Sequence, residues 1–122
     1  MYTPRWNISI HLKLYYDQSL LAFFGGDHQA VKDFLLANAH SVALSYNNPP
    51  LGQLALWSFV IHGVEMVDEK VVKMPDDRNG NMYRKRFYEH YRDQMPVNHV
   101  ALVIFTFTNF QYTDRTETQG ES

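Results

Sequence analysis

A chain of 122 residues with 45% hydrophobic content is long enough for one globular domain with a small core, and too short for two. A formal net charge of −2 and a pI near 6.3 argue against a general binder of nucleic acid or of anionic membranes. Cysteine is absent, so there is neither a disulfide nor a thiolate metal site to consider, a composition compatible with a reducing compartment. The opening residues MYTPRWNISI carry no apolar run of signal-peptide type. The longest apolar run, Val100 to Phe105, is far too short to span a bilayer.

Residues 7–16, NISIHLKLYY, alternate cleanly. Ile8, Ile10, Leu12 and Leu14 fall on one face and Ser9, His11, Lys13 and Tyr15 on the other, which predicts a half-buried strand. Residues 17–26, DQSLLAFFGG, read as a short loop whose Leu20, Leu21, Phe23 and Phe24 tuck under the helix that follows. That helix covers 27–46. Ala30, Val31, Phe34, Leu35, Ala39, Val42, Ala43 and Tyr46 recur at three-and-four spacing, with Gln29, Lys32, Asp33, His40 and Ser45 opposite. Asp27 is placed to cap its first free N–H groups. Asn47-Asn48-Pro49-Pro50 stops it, because proline lacks the N–H and disfavours helical geometry in the residue before it. Each large stripe residue contributes about 1.5–3 kcal/mol on burial, against an ordering cost of about 1–2 kcal/mol per residue. The helix therefore requires a sheet beneath it.

A second strand is predicted over 54–67, LALWSFVIHGVEMV, with Gly63 marking a bulge or a close approach. Residues 68–80 read as an exposed loop with a turn signal at Asn79-Gly80. A second helix is predicted over 81–94, with Tyr83, Phe87 and Tyr91 on one face and Lys85, Glu89 and Arg92 on the outer one; Pro96 ends it. The third strand, 97–110, is almost continuously apolar, and residues 111–122 read as a disordered tail. The order strand, helix, strand, helix, strand gives an α/β fold, in two or three layers, on a mainly parallel three-stranded sheet within residues 1–110.

One feature strains this pattern. A strand as apolar as 97–110 belongs in a sheet interior, covered on both faces and flanked on both sides. If the second and third strands flank the first, the most apolar strand lies at the edge and the half-polar one in the middle. The implication is that further strands belong beyond 97–110, or that a partner or a second copy supplies them.

No residue here earns nomination as catalytic, cofactor-binding or metal-binding. His90 and His99 stand nine apart across a proline corner, not at the four-residue spacing that points two helical histidines at one zinc ion. His62, mid-strand among apolar residues, reads as a hydrogen-bonded histidine. Arg84-Lys85-Arg86 with Tyr83, Tyr88 and Arg92 is offset by Asp76, Asp77, Glu89 and Asp93, and reads as a solvated helix face. Asp76-Asp77 with Asn79 and Asn81 fails the calcium-loop pattern, which needs Gly and Glu where Asn81 and Phe87 stand.

LYYD (14–17), FGGDHQAVKDFLLANAHSVALSYNNPPLGQLALWSFVIHGVEM (24–66) and MPVNHVALVIFT (95–106) resemble the N-terminal part of metzincin metalloproteases. The nearest branch is the reprolysin-like M12B type found in arthropod saliva and venoms. The resemblance covers about residues 8–110 and rests on the order and character of the segments. It implies a third strand in the middle of a five-stranded sheet, a secreted zinc endopeptidase acting on protein or peptide substrates, and a zinc-binding HExxH helix later in the family's sequence. None of the six histidines here lies in an HExxH. Two positions that often carry calcium-binding carboxylates in the family hold His11 and His99, poor ligands for a hard cation. The resemblance therefore implies an N-terminal subdomain truncated before the zinc-binding helix, without proteolytic activity of its own and without a metal in this chain. The alternative is a stand-alone binding module that pairs, or self-associates, through strand 97–110.

Overall fold

The protein is described from a computed structural model over residues 6–94 and 100–110. Strand β1 (Trp6–Tyr16) leads through helix α1 (Gln18–Phe23) into the long helix α2 (His28–Tyr46). A short helix α3 (Leu51–Leu54) turns the chain into strand β2 (Ala55–Met66). A loop then reaches helix α4 (Gly80–Tyr91), which tightens into a 3₁₀ turn (Arg92–Gln94), and strand β3 (Val100–Phe105) follows. The sheet is parallel throughout, in the order β2-β1-β3. No helix among the described residues is long and apolar enough to cross a membrane.

The alternation of β1 sorts its side chains into two cores, one on each face of the sheet. Leu14 and Tyr16 join Leu20, Leu21, Val31 and Leu35 beneath α1 and α2. Tyr15, pointing the other way, joins Val67, Val72 and the α4 stripe Tyr83, Phe87 and Tyr91. The fold thus has three layers, helix on sheet on helix, and each helix is held by the apolar stripe its spacing predicts. β1 and β2 run in register until Leu12 faces Ile61; the next pair is Leu14 with Val64. His62 and Gly63 therefore oppose Lys13 alone, which is a bulge. Gly63 has φ +155°, and a Cβ there would meet the Lys13 side chain at 3.3 Å. The close approach expected at this glycine is a finding.

α2 starts and ends where its flanking residues dictate. The Asp27 carboxylate accepts from Ala30 N–H at 3.1 Å, and the helix stops at Tyr46 before the prolines. Its stripe is buried only in part. Val31 and Leu35 are fully covered and Ala39 partly, whereas Phe34 and Val42 remain 44% exposed. Phe34 meets the Phe24 ring at the rim of the layer, and the end of the helix rests on β2 through Tyr46, which contacts Trp57 and Phe59.

Four expectations need correction. Residues 17–26 are not a simple loop. Asp17 caps α1 there, burying Leu20 and Leu21, while Phe23 stays outside, stacked on Phe107 at 4.4 Å. Residues 68–80 are not wholly exposed, since Val72 is completely buried against α4. Asn79-Gly80 is not a chain-reversing turn; the Asn79 side chain caps α4 by accepting from Met82 N–H, and Gly80 is its first residue. The third strand ends at Phe105 rather than 110, because hydroxyl bonds take over the backbone. Phe107 N–H donates to Ser19 Oγ at 2.9 Å and Thr108 N–H to Thr106 Oγ1 at 3.1 Å. The start of that strand, Pro96, His99 and the 111–122 tail lie outside the described residues.

β3 lies at an edge, with all six of its residues only partly covered or exposed. The opposite edge is shielded at one point. The Asn47 side-chain amide accepts from Trp57 N–H at 2.9 Å and donates to Trp57 C=O at 3.0 Å, occupying both outward groups of that β2 residue.

Candidate functional site

In open parallel sheets, ligands gather outside the carboxyl ends of the strands, where neighbouring connections leave in opposite directions. β1 is such a strand, flanked by β2 on one side and β3 on the other. Just past its end lies a crevice of about 140 Å³ lined by residues that include Asp17, Ser19, Glu69, Tyr83 and Thr108.

Asp17 is its centre, 2% exposed. β1 delivers it, the turn into α1 makes it a helix cap, and α4 brings Tyr83 to it from the other layer. Its carboxylate accepts Leu20 N–H at 3.2 Å, Ser19 Oγ–H at 2.6 Å and Tyr83 Oη–H at 2.9 Å. Every group that meets it is a donor, as an acceptor-only carboxylate requires. Ser19 Oγ in turn lies 3.0 Å from Thr106 Oγ1, which donates to Thr108 Oγ1 at 3.0 Å. Glu69 accepts from Gln18 N–H at 2.5 Å at the mouth. Burial pushes the Tyr83 phenol well above its ordinary range, and the adjacent Asp17 charge adds to the effect.

These bonds decide what the crevice can do chemically. The Ser19 proton is committed to a carboxylate, and Asp17 already holds three donors. The arrangement lacks the pairing of a hydroxyl with a free base that makes a nucleophile. What it does instead is tie the ends of β1 and β3 to α4, so three separate elements converge on one buried carboxylate.

The residues weighed in the sequence are scattered. Tyr83 leaves the basic stretch entirely and is 2% exposed, whereas Arg84, Lys85, Arg86 and Tyr88 point to solvent. Arg86 donates to the Lys73 carbonyl at 3.0 Å, and Arg92 lies over the Tyr88 ring. His90 packs edge-on against its helix neighbour Tyr91. His62 is hydrogen-bonded, to His11 at 2.8 Å. Among the described residues, no group of three or more His, Cys, Asp or Glu could hold a metal ion. The described residues do not fit the zinc that the metzincin resemblance implies for the complete domain.

Reading the sequence missed Asp17, Ser19, Tyr83 and Thr106 as a group. The local signal was present in Asp17, a short acceptor between a strand and an apolar pair, the pattern of a helix cap. Nothing local linked it to Tyr83, 66 positions away. No protein-family model, no curated protein and no solved structure matches this chain.

Proposed function

We propose that this chain is the N-terminal, non-catalytic sheet portion of a reprolysin-like zinc endopeptidase domain, exported as that kinship implies. Its role is to supply the scaffold against which the remaining strands and the zinc-binding helix pack. The observation that carries the reading is the position of β3. Its sequence, VALVIF, has the continuous apolarity of an interior strand, yet it stands at the edge of a β2-β1-β3 sheet with none of its residues fully buried. A sheet that continued past β3 would restore agreement between strand composition and strand position. The metzincin resemblance asks for such a continuation. Asp17 and its donors serve this role as the rivet that holds the β3 end in line with β1.

Two measurements test it. Reading the transcript past Ser122 should reveal an open frame that runs into an HExxH helix, and an in-frame stop there refutes the proposal. The purified chain, incubated with unfolded casein and added zinc, should release no peptides. Cleavage that EDTA abolishes would contradict the non-catalytic role.

A second reading has an observation of its own. β2's outward groups at Trp57 are occupied by Asn47, while no strand among the described residues pairs with the outer edge of β3. That asymmetry favours a module that adds a strand at β3 from a partner or a second copy. Sedimentation of the pure chain decides this: a dimer with protected amides at 100–105 supports it, and a monomer with freely exchanging amides there removes it.

A further inference from the structure

The face of the sheet that carries Tyr15 also carries a row of polar pairs between β1 and β2. Ser9 Oγ and Ser58 Oγ lie 3.1 Å apart, His11 Nδ1 and His62 Nε2 lie 2.8 Å apart, and Lys13 Nζ reaches Glu65 Oε1 at 2.6 Å. The histidine pair sits against the bulge, since His62 is one of the two residues that oppose Lys13. Its geometry is specific. Ring centroids 5.1 Å apart along a 2.8 Å nitrogen contact place the two imidazoles end to end. The nitrogens therefore aim at each other, and not at a shared third point as two ligands of one ion do. One N–H donates to one lone pair.

We propose that the His11–His62 pair is an acid-sensitive latch on the β1–β2 seam, which survives the uptake of one proton and is released by the second. A neutral pair makes the bridging N–H···N bond, and a singly charged pair makes the same bond with charge assistance. When both rings are imidazolium, all four nitrogens carry hydrogen. The bridge then becomes two opposed donors between two positive charges.

Among the described residues, the ionisable side chains on this face include Lys13 and Tyr15 of β1, Glu65 of β2, and Tyr83, His90 and Tyr91 of α4. Glu65 is taken by Lys13, so these two charges offset each other. Asp17, Asp68 and Glu69 lie at the carboxyl end of the strands, where Asp17 holds Tyr83, Asp68 N–H meets Tyr91 Oη and Glu69 holds Gln18. β3 opposes His11 with the apolar Val100. Among the described residues, the latch thus lies beside the bulge with no carboxylate hydrogen-bonded to it. It does not depend on the peptidase kinship.

A closed bridge has room for one added proton, whereas an unfolded chain in acid takes one on each of the two histidines. The unfolded state then binds more protons, so stability falls as pH falls. A difference of one proton amounts to an added loss of up to roughly tenfold in the folded-to-unfolded ratio per pH unit on the acid side.

The test is urea unfolding of the full chain across pH 7.5 to 5, comparing wild type with His62→Gln and with His40→Gln, a change at an exposed position on α2. Glutamine at 62 keeps one hydrogen bond to His11 and removes the second proton. The His62→Gln chain should lose the added acid slope, and His40→Gln should retain it. Nitrogen-15 spectra of the wild-type imidazoles give a second readout, independent of whether the variant folds. One proton should enter the pair with both rings still coupled, and the second should coincide with faster amide exchange at residues 61–64. Equal slopes in all three chains, or two protons entering the pair with no change at those amides, would overturn the proposal.

Discussion

Removing the Tyr83 hydroxyl should cost far more than a surface hydroxyl does, because the group is buried and donates to a carboxylate. Tyr83→Phe keeps the ring in its buried cluster and against Phe110, and deletes only the 2.9 Å bond to Asp17. A hydrogen bond to a charged group contributes about 1.5–3 kcal/mol. Asp17→Ala deletes the same bond, the α1 cap and the bond from the part-buried Ser19 hydroxyl, the cap alone contributing a further loss of about 0.5–2 kcal/mol. Its loss should therefore reach about 2–5 kcal/mol, still within the 5–15 kcal/mol of a typical domain. The double variant should be less destabilised than the sum of the two, leaving a coupling energy of about 1–2 kcal/mol. Urea unfolding followed by tryptophan fluorescence reads all four corners of the cycle, provided the slope stays constant. A coupling below about 0.5 kcal/mol would mean that the two side chains act independently. The picture of a carboxylate riveting three elements together would then be wrong.

Alkaline pH should unfold the domain in a step. Burial raises Tyr15 to about 12, with Glu65 and Tyr91 adding to the effect, and raises Tyr16 as well; Tyr83 is raised by burial and then by Asp17. An unfolded chain loses these protons near pH 10, so stability is complete below that and declines as pH climbs through 10 toward 12 and beyond. Phenolate absorbance should show Tyr15, Tyr16 and Tyr83 ionising only as the chain unfolds; their ionisation near pH 10 in a folded chain would contradict this. Leu35→Ala, at a fully buried position of α2, should cost about 2–5 kcal/mol. Its exposed neighbour Leu36→Ala should stay within about 0.5 kcal/mol, both read by thermal melting. Gly52→Ala should cost about 1–3 kcal/mol, since an added Cβ would lie 2.0 Å from the Asn47 carbonyl oxygen. Loss of protection at the Trp57 amide reports the displaced Asn47, and an unchanged Trp57 amide would argue against that route.

The elements that could be read in advance share a physical cause. β1, α2, β2 and α4 each carry their burial pattern within a single run of residues, period two or period 3.6, and a stop signal beside it. The Gly63 bulge was legible for the same reason, because a glycine inside an apolar strand has few other uses. What escaped were features made by groups distant in sequence. Asp17 gave no sign of Tyr83, and His62 no sign that its partner was His11. Thr106 to Phe110 looked like more strand, because their apolar and β-branched composition cannot reveal that Ser19 will take the Phe107 N–H.

Periodicity and breakers in the chain were enough to settle an α/β domain with three strands and two principal helices. They could not choose which strand lies in the middle, since a pattern of burial along one strand carries no record of its neighbours. Folding placed half-polar β1 there and left apolar β3 outside. It also assembled the two polar clusters, one around Asp17 and one around the histidine pair. Hydrogen bonds act over about 3 Å, and only the packed sheet brings residues 51 and 66 positions apart within that reach.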